Sequence, residues 1–235
     1  MPVLALDTAT LVSSVALAAE DILLAEITLQ TKKTHSEVLM PHIEQLLTMA
    51  NVAKRDIMAV AVSIGPGSFT GLRIGLATAK ALAYALQIPI VGVPTLAALA
   101  YGCPLPGTLL SPLLDAQKGN VYQAVFRWEQ GNLQTVQPAR VIRFSDVLRE
   151  MGSKDQPVLL LGEGAVMNRQ VILQAGGNLL LAPPHIIMPR AASVAMLGQK
   201  MLAAGEQQDV MALEPLYIRR SEAEVLWEKR HGVCL

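Results

Sequence analysis

Cysteine, aromatic residues and charge are all scarce in this 235-residue sequence. Its two cysteines, Cys103 and Cys234, are too few for a disulfide framework. Their scarcity excludes a small secreted domain held by disulfides and fits a reducing, cytoplasmic setting. Aromatic residues make up 4% of the chain, charged residues 16% and hydrophobic residues 52%, so the composition also excludes a disordered chain. We expect a folded core built mainly from Ala, Val, Leu and Ile.

Net charge is absent as well, because nineteen basic and nineteen acidic residues cancel. A protein that binds nucleic acid by itself usually carries a block or stripe of Lys and Arg, and this sequence has none. We therefore expect the isolated chain to bind nucleic acid only in the non-specific range of about 10⁻⁴ to 10⁻⁶ M.

A long uncharged stretch raises the question of a membrane segment. No Asp, Glu, Lys or Arg occurs in the 34 positions between Lys80 and Asp115. Five prolines interrupt this stretch, so an apolar helix of about 20 residues cannot run through it. The N-terminus lacks the basic region of a signal peptide. We expect a soluble cytoplasmic protein.

The apolar pattern predicts two successive α/β lobes. Predicted strands lie at 3–6, 12–18, 22–29, 58–63, 89–93, 108–114, 121–128, 133–137 and 158–162. One predicted helix follows the capping box at Thr34 and ends at about Ala50, a second follows the glycine-rich turn and ends at about Leu86, and a short third begins at Pro94. Three more are predicted at 145–151, 165–175 and 191–204. The Pro/Gly-rich stretch from 102 to 112 is the candidate boundary. We expect lobes at 1–105 and 106–213, followed by a charged C-terminal tail at 214–235.

Two loops of the first lobe carry residues typical of phosphate binding. Asp7 and Thr8 lie at a strand end, where a carboxylate and a hydroxyl can hold a metal-bound phosphate or simply bond the backbone of a turn. Gly65-Pro-Gly-Ser-Phe-Thr-Gly71 opens a helix, whose N-terminal amides attract anions. The Lys-Ser/Thr pair of a P-loop is missing, so a turn that packs helix against strand is an equal alternative.

The helix that follows this loop is apolar on nearly all sides. Gly71, Gly75, Ala79 and Ala83 recur every four residues and form a small-residue stripe, where another backbone can come close. Ile74, Ala77, Ala81 and Ala85 fall on the opposite side. Such a helix is buried on more than one side. Either the helix before it supplies the second cover, or a partner protein does.

The usual catalytic arrangements are absent from the sequence. The four histidines, His35, His42, His185 and His231, show no metal-binding spacing. We interpret His35 as a helix N-terminal or interface residue and His42 as solvent-facing. Cys103 has no nearby base, and Ser68 does not stand in a nucleophile elbow.

Taken together, six segments resemble the bacterial TsaB (YeaZ) family in the order in which they occur. They are Leu4-Ala-Leu-Asp-Thr-Ala-Thr10, Thr34-His-Ser-Glu37, Gly65-Pro-Gly-Ser-Phe-Thr-Gly-Leu-Arg-Ile-Gly75, Gly92-Val-Pro-Thr-Leu96, Asp115-Ala-Gln-Lys-Gly-Asn-Val-Tyr122 and Pro215-Leu-Tyr-Ile-Arg219. The resemblance spans nearly the whole chain, and the long glycine-rich string is its most specific part.

The resemblance implies a two-lobed actin/sugar-kinase/Hsp70-like fold of ribonuclease H type with a reduced second lobe. It also implies a non-catalytic subunit for making N6-threonylcarbamoyladenosine at position 37 of tRNAs that read ANN codons. The implied partners are the related transferase TsaD and the ATPase TsaE, with ATP and metal on those subunits and tRNA bound only through the complex. Without TsaD the chain is expected to form a homodimer.

The same resemblance indicates that catalytic groups have been lost. Thr95 and Leu99 stand where TsaD-type proteins carry two metal-binding histidines, and these side chains do not hold a transition metal. A degraded nucleotide site is expected at Asp7, Thr8, Gly162 and Gly164, because Glu163 replaces a glycine of the adenosine loop. We expect no catalytic residue, no metal and no cofactor of the chain's own.

The partner surface is expected on the two helices of the first lobe. Its predicted residues are His35, Leu39, Ile43, Leu46, Gly71, Arg73, Gly75, Leu76, Ala79 and Ala83. Two alternatives from other classes are a metal-dependent glycoprotease-type peptidase and a small-molecule kinase. The missing histidine pair argues against the first, and the missing glycine pair and base argue against the second.

Overall fold

A computed structural model describes residues 1–20, 22–30 and 33–219. The predicted tail at 214–235 therefore falls outside the described residues beyond Arg219. In the described part, two five-stranded sheets form the framework of two lobes.

The first sheet combines an antiparallel meander with parallel strands. Its strands are β1 (Pro2–Asp7), β2 (Val12–Ala19), β3 (Ile22–Gln30), β4 (Ala59–Gly65) and β5 (Ile90–Pro94), in the order β3-β2-β1-β4-β5. The meander β1-β2-β3 is antiparallel, whereas β4 and β5 run parallel to β1. All five strands lie where the apolar runs predict them.

The second sheet repeats the same plan. Its strands are β6 (Leu109–Asp115), β7 (Asn120–Glu129), β8 (Asn132–Arg143), β9 (Val158–Leu161) and β10 (Leu179–Leu181), in the order β8-β7-β6-β9-β10. Strands β6, β7, β8, β9 and β10 thus take the places of β1, β2, β3, β4 and β5. As in the first sheet, β6-β7-β8 is an antiparallel meander, and β9 and β10 run parallel to β6. The duplicated arrangement confirms the predicted two-lobed, actin-like fold.

The helices differ more between the lobes than the sheets do. The first lobe has α1 (His35–Met49) and α2 (Phe69–Leu86), and α3 (Thr95–Tyr101) follows β5. The second has α4 (Phe144–Gly152), α5 (Glu163–Met167) and α6 (Arg169–Ala175), and α7 (Ala191–Ala203) follows β10. The reduction of the second lobe thus lies in its helices. The single helix predicted at 165–175 is wrong, because the chain breaks at Asn168 into α5 and α6.

The two lobes exchange one helix each. Helix α7 packs on the first sheet, where Ala191, Val194 and Ala195 share a core with strands β1, β2, β4 and β5. Helix α3 covers the second sheet, where Leu96 and Leu99 join a core with β6, β7 and β9. The lobe boundary predicted at 105/106 is therefore incomplete, because α7 returns to the first lobe although it lies within 106–213.

Four apolar clusters cover both faces of both sheets. Helices α1 and α2 pack on one face of the first sheet and α7 on the other. Helices α4, α5 and α6 pack on one face of the second sheet and α3 on the other. A sheet buried on both faces needs apolar residues at successive strand positions, which accounts for the low charge of the sequence. Among the described helices, none is long and apolar enough to cross a membrane.

Candidate functional site

The turn between β1 and β2 meets the N-terminal ends of both α1 and α2. The Ser68 backbone N–H donates to the Ala9 carbonyl at 2.7 Å. The Nε2 atom of His35, the first residue of α1, lies 2.8 Å from the Thr10 carbonyl, and the Thr8 hydroxyl donates to the Gly71 carbonyl at 2.8 Å. Backbone oxygens of this turn thus occupy the place where amides at a helix N-terminus attract an anion.

The glycines of the long string are there because the same turn comes so close. A Cβ on Gly67 would lie 2.4 Å from the Ala9 carbonyl oxygen, and one on Gly71 would lie 2.1 Å from that of Thr8. A Cβ on Gly75 would lie 2.2 Å from the Thr8 hydroxyl oxygen. Of the two interpretations of the string, this geometry favours the turn that packs helix against strand.

Asp7 and Thr8, the predicted remnant of a phosphate site, are enclosed by the chain itself. Asp7 is fully buried. One carboxylate oxygen accepts from the Ala9 N–H at 3.0 Å and the other accepts from the Ser63 hydroxyl. Burial raises the pKa of Asp7, while these hydrogen bonds oppose the shift. The pair therefore faces the interior, and a phosphate or a metal ion does not fit there without displacing these bonds.

The residues at the lost histidine positions have structural partners. The Thr95 hydroxyl is buried and accepts from the Gly65 N–H at 3.1 Å. Leu99 packs between α3 and the second sheet. Among the described residues, no group of three or more His, Cys, Asp or Glu side chains is placed to hold a metal ion.

In the second lobe, Gly162 and Gly164 are packing positions. A Cβ on Gly162 would lie 2.4 Å from the Leu113 carbonyl oxygen, and one on Gly164 would lie 3.1 Å from the Leu113 backbone and side chain. Burial raises the pKa of Glu163, and the nearby backbone of Asp115 opposes this shift. The expected adenosine loop therefore packs against β6 and carries a carboxyl group between its glycines.

The small-residue stripe of α2 does not face a partner. Gly71 and Gly75 lie against Thr8, and Ala79 and Ala83 belong to the core of the first lobe. The prediction that this stripe is a docking surface is therefore wrong. The eight predicted partner residues that the structure buries are Leu39, Ile43, Leu46, Gly71, Gly75, Leu76, Ala79 and Ala83. Their apolar surface covers the chain's own first sheet.

The two histidines of α1 also point inward. His42 is buried, with its Nδ1 atom 3.2 Å from the Ser13 hydroxyl, so its predicted solvent-facing position is wrong. His35 is half-buried, and its Nδ1 atom has no hydrogen-bond partner. Burial lowers the pKa of His42. Of the predicted partner residues, Arg73 remains exposed.

The exposed face of α2 is the side opposite the stripe. Ala77, Ala81 and Ala85 lie there with Tyr84, whose side chain is 64% exposed, and Arg73. We call these five residues the outer face of α2. The sequence places Ala77, Ala81 and Ala85 on the exposed side correctly, whereas Ile74, predicted beside them, packs against the core. The small-residue stripe that is predicted to face the partner lies on the buried side.

A second feature is residues 214–219, which we call the C-terminal strap; Pro215–Arg219 is among the segments that resemble the family, but the sequence does not predict where this segment lies. This segment follows Leu213, a core residue of the first lobe, and lies along α2. Lys80 helps to position it by donating to the carbonyls of Met211 and Leu213 at 2.8 and 3.1 Å. An open pocket of about 470 Å³ lies between α2 and the strap, with Arg73, Lys80, Glu214 and Tyr217 among its lining residues.

Comparison with known proteins decides the family. A family model described as "TsaD: tRNA N6-adenosine threonylcarbamoyltransferase" matches residues 23–227. The chain is 38% identical over 230 residues to the "tRNA threonylcarbamoyladenosine biosynthesis protein TsaB" of Bacillus subtilis (strain 168), covering 97% of this chain and 98% of that protein. The chain belongs to the TsaB (YeaZ) family.

Two further TsaB family members match this chain over nearly their full length. The chain is 29% identical over 235 residues to the TsaB protein of Escherichia coli (strain K12), and the match covers 99% of each of the two chains. The solved structure of YeaZ from Pseudomonas aeruginosa superposes with a TM-score of 0.77 at 28% identity, over 92% of this chain and 99% of that one. The family predicted from the six sequence segments is confirmed.

Proposed function

We propose that this chain is a non-catalytic subunit in the synthesis of N6-threonylcarbamoyladenosine at position 37 of tRNAs that read ANN codons. In this proposal it binds TsaD, the transferase, and TsaE is the third member. ATP and metal belong to those partner subunits. The observation that carries the partner role is the row of exposed alanines on the outer face of α2, in a chain that itself matches the TsaD family model.

The enclosed polar groups support a role without catalysis. A general base or a metal ligand must reach the substrate, and Asp7 is fully buried with both carboxylate oxygens hydrogen-bonded within the chain. Thr95 uses its hydroxyl to hold Gly65, and Leu99 fills a core. The side chains of Asp7, Thr95 and Leu99 are thus all engaged in contacts within the chain.

The chemistry of α2 supports a protein partner. Ala77, Ala81 and Ala85 let another helix approach closely along about two turns without displacing long side chains. Tyr84 adds a large, rigid side chain of the kind that anchors interfaces. Because TsaD and this chain are related, the equivalent helix of TsaD is the natural counterpart. In the absence of TsaD, the outer face pairs with that of a second copy about a two-fold axis.

The balanced charge supports an indirect role toward tRNA. Nineteen basic and nineteen acidic residues give no net attraction to a phosphate backbone. The proposal therefore places tRNA on the assembled complex, with this subunit contributing through TsaD.

The experiment that tests the proposal is Ala81→Glu, with TsaD affinity measured by isothermal titration calorimetry. A carboxylate at the centre of an apolar helix contact loses its hydration without gaining a partner, so we expect TsaD affinity to fall at least tenfold. Glu is also a good helix former, so the thermal midpoint should stay within about 2 °C. The same variant should be monomeric by sedimentation.

Ala203→Glu is the matched control, because Ala203 is an exposed alanine on another helix, α7. It should bind TsaD with wild-type affinity. Wild-type TsaD affinity in Ala81→Glu, with the protein folded, would refute the partner surface.

A further inference from the structure

The C-terminal strap begins on the first lobe, at the carboxyl end of β4. The Leu216 N–H donates to the Ile64 carbonyl at 2.7 Å. The Leu216 carbonyl lies so close to Gly65 that a Cβ there would be 2.8 Å from its oxygen. Gly65 also has a φ of +120°, which a residue with a side chain rarely adopts. The strap thus lies directly on the end of a central strand.

An aromatic and cationic stack holds the middle of the strap on α2. The Tyr217 ring stacks on Phe69 with ring centroids 5.1 Å apart. The Arg73 guanidinium lies 3.9 Å from the centroid of the Phe69 ring and donates through Nε to the Tyr217 hydroxyl at 3.0 Å. Phe69 and Tyr217 are each about 40% exposed, at 38% and 41%, so this anchor is formed at the surface.

The strap contacts the second lobe through Arg219. Arg219 donates to the Ala116 carbonyl, immediately after β6. Its positive charge also acts on the Tyr122 hydroxyl, whose pKa is raised by burial and lowered in turn by Arg219. Within six residues the strap therefore connects the carboxyl end of β4 in one lobe with the carboxyl end of β6 in the other.

This path crosses the place where sheets of this kind bind ligands. In open α/β sheets, ligands lie in the crevice outside the carboxyl ends of the parallel strands. Asp7 and Asp115 end the equivalent strands β1 and β6 and mark the two sides of that crevice. The nucleotide that the fold implies does not fit here, because Asp7 faces inward and strap atoms lie against Gly65 and Ala116.

We propose that the C-terminal strap is an intramolecular occupant of the cleft, which ties the two lobes at one fixed opening and excludes a nucleotide. The strap acts through contacts with both lobes, so removing the Arg219 contact with Ala116 frees the second lobe's loop after β6. This inference concerns the cleft, and its contact with the second lobe lies outside the outer face of α2, although Arg73 belongs both to that face and to the anchor of Tyr217.

Hydrogen exchange of Arg219→Ala, followed by mass spectrometry, tests the tie. We expect exchange to accelerate about tenfold in the strap itself and in peptides covering 113–121, whose sequence is the same in the variant and the wild type. A peptide covering 12–19 in β2 should exchange as in the wild type, which separates release of the tie from global unfolding. Arg149→Ala is the control, because Arg149 is an exposed arginine of the same lobe whose ion pair joins it to Asp146 on its own helix.

Tyr217→Phe and Tyr217→Ala provide a second route to the same result. Tyr217→Phe keeps the stack on Phe69 and should change exchange at 113–121 less than Tyr217→Ala does. If exchange rises only within 214–219 in Arg219→Ala and Tyr217→Ala alike, the strap does not tie the lobes and the proposal fails.

The exclusion of nucleotide is measured on the wild-type chain with the magnesium complex of AMPPNP. We expect no heat of binding at millimolar concentration and no change of exchange at 64–72 or 113–121. Binding that protects these two segments would overturn the proposal.

Discussion

Replacing Gly75 by alanine tests whether the small residues of α2 pack against the chain's own β1–β2 turn. The new Cβ would lie 2.2 Å from the Thr8 hydroxyl oxygen, which itself donates to the Gly71 carbonyl. Alanine gains about 1 kcal/mol of helix propensity over glycine. Overpacking costs about 1–3 kcal/mol, and loss of a buried hydrogen bond costs about 1 kcal/mol more.

The costs outweigh the gain, so Gly75→Ala should lower the free energy of unfolding by about 1–3 kcal/mol. For a chain of this length, such a loss corresponds to a fall of about 2 to 12 °C in the thermal midpoint. Urea unfolding and calorimetry measure both quantities. Ala77→Gly, on the outer face of α2, is the control for propensity alone and should cost about 1 kcal/mol.

A double-mutant cycle with Thr8→Ala identifies the contact. Removing the Thr8 side chain removes the nearest atom to the new Cβ. Gly75→Ala should then be neutral or stabilising in the Thr8→Ala background, giving a coupling of about 1–3 kcal/mol. If Gly75→Ala stabilises the protein in the wild-type background, or if the cycle shows no coupling, the stripe does not pack against Thr8.

Three further predictions concern buried groups and metal content. Burial raises the pKa of Asp7, so the folded state holds its proton more tightly than the unfolded state and this residue costs stability as pH rises. Asp7→Asn should therefore be more stable than the wild type at pH 7 in urea unfolding, with a difference that shrinks toward pH 4 by at most about 1.4 kcal/mol per pH unit. Burial lowers the pKa of His42, so protonation favours the unfolded state, and wild-type stability should fall below about pH 6.5 more steeply than that of His42→Asn. Mass spectrometry of the purified chain should find no stoichiometric metal; one equivalent of zinc or iron with activity lost on chelation would favour the peptidase alternative.

The order of elements in the first lobe is readable from the sequence because each element carries a local signal. Short polar breaks separate strands β1, β2 and β3, and the capping box of Thr34 and Glu37 predicts the start of α1. In the structure the Glu37 carboxylate accepts from the Thr34 N–H at 2.8 Å. Strand β10 has only three residues, and its identity comes from pairing with β9 rather than from its own composition.

The partner residues were harder to predict because periodicity divides a helix into sides without saying which side is inside. Gly71 indicates correctly that a backbone comes close to α2, but the backbone belongs to Thr8, and Gly75 lies against the Thr8 side chain. That contact joins positions more than 60 residues apart in the sequence, since the Thr8 hydroxyl reaches the Gly71 carbonyl across 63 residues. Tertiary contacts of this kind leave no local pattern in the chain.

The exchange of α3 and α7 between the lobes also sets the order in which the cores can be completed. Strands β1, β4 and β5 are synthesised early, yet the apolar face that α7 covers stays open until residues 191–203 have been made. In the same way, α3 waits for β6 and β9 before Leu96 and Leu99 have anything to pack against. Chains synthesised from the N-terminus expose such surfaces to aggregation while they wait. The first lobe thus cannot complete its core ahead of the second, and one face of its first sheet lacks its cover until almost the whole chain has been made.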